Sequence, residues 1–154
     1  MVSNNKNAKG LTYAKRNNIK CEIVNYNNKK KAESKILKVL NKNNIDLICL
    51  AGFMKILSKR IVNKYKNKIL NIHPSLLPRY KGLNTHKRVI LNKEKFTGCT
   101  VHIVTSKLDS GKIILQKKIK ILKNDSEKTL SKRLLKIENQ IYPRAVRKFA
   151  IANL

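Results

Sequence analysis

The stretch Asn71-Ile72-His73-Pro74-Ser75-Leu76-Leu77-Pro78-Arg79-Tyr80-Lys81-Gly82 sets an amide and an imidazole between an apolar run and a loop closed by prolines. Ile69 to Ile72 is short and mainly apolar, the pattern of a buried strand. Pro74 and Pro78 forbid its extension, because proline has no N–H to give to a ladder. A strand therefore ends in a turn at His73. Side chains alternate along a strand, so positions 71 and 73 project from one face and aim at one small volume. In open α/β sheets ligands sit at the carboxyl ends of strands. An Asn-x-His pair at a strand end is also a common turn former beside a hydrogen-bonded histidine, and spacing alone leaves both readings open. The isomer of the Leu77–Pro78 bond is open at this level as well.

Outward from that stretch, strands and helices alternate. Val2 reads as the tail of a strand, and residues 6–18 as a helix with Leu11 and Ala14 inward. A strand is expected over 21–24. A second helix follows over 30–43, with Ile36, Leu37 and Leu40 on one face and lysines on the other. Residues 46–51 form a continuous apolar run of buried-strand character. A short helix through Ile61, Val62 and Tyr65 leads back to the Ile69 strand. This alternation implies an α/β fold with a doubly wound, mostly parallel sheet. Thr85 starts a further helix with Val89 and Ile90 inward. Two β-rich runs, 99–104 and 113–121, flank an Asp109-Ser110-Gly111 turn, and Ile119 and Ile121 alternate with lysines as on an edge strand with one wet face. Asp125 or Ser126 caps a last helix built on Leu130, Leu134, Ile137 and Ile141, which Pro143 is expected to kink or interrupt.

A chain of 154 residues fits a single domain, 1–154, large enough for a real core. Its 36 Lys and Arg against 8 Asp and Glu give a net charge of +28, which would ordinarily point to a nucleic-acid partner. The excess is mainly lysine, spread along the whole chain among many asparagines and isoleucines. These are the residues of AT-rich codons, so genome composition explains the pattern and nucleic acid is not the expected partner. The charge still attracts anionic ligands. Cys21, Cys49 and Cys99 form no C-x-x-C pair, which argues against a disulfide framework or a zinc site, and Cys49 and Cys99 are expected in the core. No apolar stretch reaches membrane-spanning length and no signal-peptide core opens the chain, so the expectation is a soluble, cytoplasmic protein without a membrane partner.

The octapeptide Asn71 to Pro78 resembles the signature of the folate-dependent formyltransferases, and Gly82-Leu83-Asn84-Thr85-His86 is similar to the branch that formylates glycinamide ribonucleotide in purine synthesis. Leu50-Ala51-Gly52-Phe53-Met54-Lys55-Ile56-Leu57-Ser58 resembles that branch upstream. Gly98-x-Thr100-Val101-His102, Leu108-Asp109-Ser110-Gly111 and Glu138 ahead of Ile141-Tyr142-Pro143 do so downstream. The resemblance runs in order from residue 2 to about 150. The nearest rivals, methionyl-tRNA formyltransferase and formyltetrahydrofolate deformylase, share the Asn-x-His core. Gly82 to His86 sets them apart, and the tRNA branch also needs an additional C-terminal domain.

The resemblance implies a Rossmann-like formyltransferase fold and transfer of a formyl group from 10-formyltetrahydrofolate, a cosubstrate, to the amine of glycinamide ribonucleotide. It assigns catalysis to Asn71, His73 and Asp109, with Asp109 pairing with His73. It assigns the folate pocket to Met54, Lys55, Ile56, Leu57, Asn71 and Thr105, and a basic contact to the folate tail to Lys29. Glu138 and Pro74 fall to the nucleotide substrate; His86 and His102 are expected to be structural or supporting histidines, and no metal is required. Members of the family begin with a strand and a glycine-rich phosphate loop, whereas Gly10, Gly52, Gly82, Gly98 and Gly111 form no Gly-x-Gly cluster. The expectation is thus an N-terminally incomplete domain with a short C-terminus. Its alternatives are an inactive or split fragment that keeps a folate pocket, a homodimer joined through an open sheet edge, or a chain completed by a separate N-terminal fragment.

Overall fold

The alternation resolves into six strands and five helices in the computed structural model, which describes residues 1–153. They fall into two compact units, Met1–Ile45 and Asp46–Leu154.

In the first unit, strands β1 (Val2–Ser3) and β2 (Glu22–Ile23) pair in parallel around helix α1 (Lys9–Arg16), and helix α2 (Lys29–Lys42) follows. The Asn28 side chain caps α2 by accepting from the Lys31 amide at 3.0 Å. Leu11 and Ala14 of α1 and Ala32, Leu37 and Leu40 of α2 are buried, as the helical spacing requires. Glu33 is the one acidic residue buried with them, and the Tyr26 hydroxyl donates to it at 3.3 Å.

The second unit holds strands β3 (Ile48–Leu50), β4 (Ile69–His73), β5 (Phe96–Ile103) and β6 (Ile113–Lys120) in one sheet of that order, with helices α3 (Lys59–Lys64), α4 (Thr85–Leu91) and α5 (Glu127–Asn153). β3 and β4 run parallel, while β4–β5 and β5–β6 are antiparallel. The class is the expected α/β. The parallel pairing, however, stops at β4: β5 runs antiparallel to it, and β5 and β6 then form an antiparallel hairpin.

Alternation sorts the two faces of this sheet. Leu70 and Ile72 of β4 and Cys99, Val101 and Ile103 of β5 point to one side, where Leu134, Ile141, Ala145 and Phe149 of α5 cover them. Ser126 caps α5 by accepting from the Thr129 amide at 3.2 Å, and the Thr129 hydroxyl accepts in turn from the Ser126 amide at 2.8 Å. Of the kink or interruption expected at Pro143, the interruption does not occur. Its ring already has a helical φ and costs one hydrogen bond at an exposed turn, while Ile141 and Ala145 on either side are buried and hold the helix to the sheet. Cys49 also departs from expectation. It is exposed; β3 is the edge of its sheet, and Tyr142 of α5 reaches that strand through its hydroxyl, which donates to Leu50 O at 2.7 Å. Cys99 is fully buried.

Three helices stop in the same way without glycine. Asn18 (φ 56°), Asn44 (φ 47°) and Lys93 (φ 50°) take the left-handed conformation just past the ends of α1, α2 and α4. The following amides then return to the last turn, Ile19 to Ala14 O at 2.8 Å, Ile45 to Leu40 O at 3.0 Å and Glu94 to Val89 O at 3.0 Å. These are Schellman closures, and asparagine is the side chain that tolerates them best after glycine. Lysine has no such tolerance. Lys93→Gly should therefore raise unfolding stability by about 1 kcal/mol and Asn44→Gly by less. Chemical denaturation measures both, and equal gains at the two positions would contradict this reading.

Candidate active site

The opposite face of the sheet is polar where β4 meets β5. Asn71 pairs in register with His102, and His73 with Thr100, so all four side chains stand on the side away from α5. Gly98, Thr100 and His102 repeat with period two on this face of β5, and only glycine fits at 98, where a Cβ would lie 2.1 Å from Lys117 O. The neighbouring strand is bulged here. Val101 faces Leu115 and His102 faces Ile113, which leaves Ile114 as the extra residue. A Cβ at Gly111 would meet Ile103 O at 1.8 Å, so this glycine lets the hairpin close against the end of β5.

His73 is 6% exposed and contacted on both ring edges. Its Nε2 lies 2.9 Å from Tyr80 O; a carbonyl only accepts, so Nε2–H donates. Nδ1 lies 3.5 Å from Asp109 Oδ2, an ion-pair distance. The other carboxylate oxygen, Oδ1, is 3.6 Å from Nε2 of His102. Asp109 itself takes a left-handed conformation (φ 44°), and the Gly82 amide donates to its Oδ2 at 2.9 Å. One carboxylate thus stands between two histidines, held by a backbone donor.

His102 sets the orientation of Asn71. Its Nδ1–H donates to Ile103 O at 3.0 Å, which leaves Nε2 to accept from the Asn71 amide nitrogen at 3.4 Å. Burial holds the His102 pKa below the ordinary histidine value, and burial does the same for His86. A neutral His102 accepts one Asn71 N–H, and the second N–H of that amide remains for another acceptor.

The loop after His73 is fastened to the sheet by side chains of β5 and β6. Thr100 Oγ1 donates to Ser75 O at 2.6 Å and accepts from the Leu77 amide at 3.2 Å, while Gln116 Nε2 donates to Thr100 Oγ1 at 2.7 Å and to Leu77 O at 3.1 Å. Within the loop Ser75, fully buried, donates to Arg79 O at 2.7 Å, and the Leu77–Pro78 bond is cis. Lys81 Nζ donates to Ser110 Oγ at 2.6 Å, which joins the 80–82 and 105–110 loops a second time beside the Gly82–Asp109 bond.

The structure therefore brings Asn71, His73 and Asp109 together, and Pro74 follows directly at the strand end. Thr105 lies in the Asp109 loop, where its hydroxyl accepts from the Lys107 amide at 3.3 Å. Met54, Lys55, Ile56 and Leu57 lie between β3 and α3 after Gly52 (φ 63°), with Met54 70% and Ile56 66% exposed. Apolar side chains that open to solvent are typical of a ligand slot. Glu138 is half-buried on α5, outside the hydrogen-bonded group; burial raises its pKa, and its charge adds to the burial that pushes the Cys99 thiol up to about 12. Lys29 is the first residue of α2 in the first unit. Gln116 carries no mark in the sequence reading, and Tyr80 and Gly82 enter it only as motif members; they act here through backbone groups and a side-chain amide. The period-two polar row in β5 was the available signal for Thr100 and for the part played by His102.

A family described as formyl transferase matches residues 1–146. The chain is 40% identical over its whole length to a phosphoribosylglycinamide formyltransferase of Haemophilus influenzae, of which it covers 74%. It is 42% identical over 95% of its length to the human trifunctional purine biosynthetic protein adenosine-3, yet spans only 15% of that protein. Among solved structures, glycinamide ribonucleotide transformylase 1 of Symbiobacterium toebii superposes with a TM-score of 0.93 at 36% identity, covering 99% of this chain and 74% of its own.

Proposed function

Since the chain belongs to the formyl transferase family, we propose that it moves the formyl group of 10-formyltetrahydrofolate to the primary amine of glycinamide ribonucleotide in purine biosynthesis. The observation that carries this reading is the convergence of an amide, an imidazole and a carboxylate, Asn71, His73 and Asp109, at the end of β4. The family match runs through both units, which supports reading 1–154 as one formyltransferase domain. A cytoplasmic protein acting on small molecules fits it, and no described helix is long and apolar enough to cross a membrane.

In this reaction the amine nitrogen attacks the formyl carbon, a C–N bond forms and the carbonyl oxygen becomes an oxyanion. The second N–H of Asn71, left over from the His102 bond, donates to that oxygen. Protonated His73, beside Asp109, supplies positive charge to the same intermediate and takes part in moving a proton from the attacking amine to the departing folate nitrogen. The folate nitrogen leaves as a neutral amine once protonated, and the formyl C–N bond to folate breaks. Asp109 holds the imidazole and balances its charge. The apolar side chains at 54, 56 and 57, with Lys55 and Thr105, form the folate slot. Glu138 and Pro74 contact the nucleotide substrate.

Titration with an unreactive folate analogue tests the pocket. Backbone amide resonances of 53–57 and 105–109 are expected to shift together, with α5 resonances near Ser126 unmoved. Saturable binding that leaves both loops unchanged would overturn the folate assignment.

A further inference from the structure

The left-handed conformation of Tyr80 (φ 56°) is unusual for a bulky residue and persists only where its surroundings hold it. Here they do so on every side. Arg79 and Arg88 stack on the ring, with guanidinium carbons 5.3 and 5.2 Å from its centroid. The hydroxyl donates to Glu94 Oε1 at 2.6 Å and accepts from Asn92 Nδ2 at 2.9 Å, and Glu94 is itself paired with Arg79. The Tyr80 hydrogen bond, and then Arg79, keep the Glu94 carboxyl below the usual carboxylate range. Arg88 also donates to Lys81 O at 2.7 Å, the next carbonyl along.

This fixture has a consequence at the histidine. The left-handed turn directs the Tyr80 carbonyl at Nε2 of His73, while Asp109 Oδ2 lies 3.5 Å from Nδ1. The two acceptors compete for the single proton of a neutral ring. Asp109, charged, would draw it to Nδ1, and only the closely placed carbonyl keeps it on Nε2. We propose that Tyr80, clamped by Glu94, Asn92, Arg79 and Arg88, is a positioning residue that selects the Nε2–H tautomer of His73 and leaves Nδ1 free to take up and release the working proton beside Asp109. The proposal rests on the role given to His73 above, but its structural core is independent of activity.

Nitrogen-15 NMR of histidine-labelled protein tests it, with His73→Gln used to assign the ring among the three histidines. The wild-type neutral ring is expected to carry its proton on Nε2. Tyr80→Phe and Glu94→Ala release the clamp, so the population should move towards Nδ1–H and kcat should fall about 10-fold. KM for both substrates should stay within about 2-fold. Glu94→Gln still accepts from the tyrosine hydroxyl and should remain close to wild type in both readouts. An unchanged Nε2–H tautomer in Tyr80→Phe and Glu94→Ala would overturn the proposal. Absence of formyl transfer in every variant would overturn the functional reading alone, because the tautomer is read without turnover.

Discussion

Replacing His73 with alanine is expected to lower the rate of formyl transfer by about 10²- to 10⁴-fold. The imidazole is the group in the site given the proton-transfer role, and it is buried between a carbonyl and a carboxylate that both contact its ring nitrogens. The loss should appear in kcat, because the charge on the ring matters most when the tetrahedral intermediate forms. Truncation also leaves Tyr80 O and Asp109 without their partner, at a cost of about 1 to 3 kcal/mol in stability. His73→Gln, which keeps a donor in the cavity, separates the two effects. Its stability should recover towards wild type while its turnover stays low. Full activity in either variant would remove His73 from the mechanism.

Asn71→Ala should cost about 10² to 10³ in rate, the usual penalty for losing one donor to a developing oxyanion. The same change deprives His102 Nε2 of its donor. Asn71→Asp is the sharper test. It keeps the size of the side chain but sets a carboxylate beside Asp109 and the developing negative charge, so its activity should fall at least as far as that of the alanine variant. Steady-state rates on both substrates decide the matter, and an active Asn71→Asp would show that no oxyanion gathers at this amide.

What the chain discloses by itself follows the range of the forces involved. Alternation is local, so the shared face of Asn71 and His73 was readable from two positions and a proline, and helical spacing placed Leu11, Leu37, Leu134 and Ile141 inward. The cap of α5 was readable as Asp125 or Ser126, capping residues ahead of an apolar periodic run, and Ser126 is the one that accepts from the Thr129 amide. The exposure of Cys49 was not readable, since an apolar run does not state whether its strand is central or at an edge. Nor was the passage of α5 through Pro143, where packing against the sheet outweighs a local rule. The site itself was half visible. Gly82 meets Asp109 across 27 residues through an amide that every residue but proline possesses, and Tyr80 enters through a carbonyl, so neither contact leaves a mark on residue type. His102 was legible as a member of the Gly98-x-Thr100-Val101-His102 motif and as a structural or supporting histidine, while its particular partner emerged once Asn71 stood opposite it.

The account is tested most directly by following an isotope-labelled formyl group. The purified protein is mixed with labelled 10-formyltetrahydrofolate and glycinamide ribonucleotide, and the label is sought on the product amine. The expected result is label on formylglycinamide ribonucleotide with matching loss from the folate, abolished together in His73→Ala and Asn71→Ala. Label that remains on the folate in folded, folate-bound wild-type protein, or that moves equally well in both variants, would contradict it.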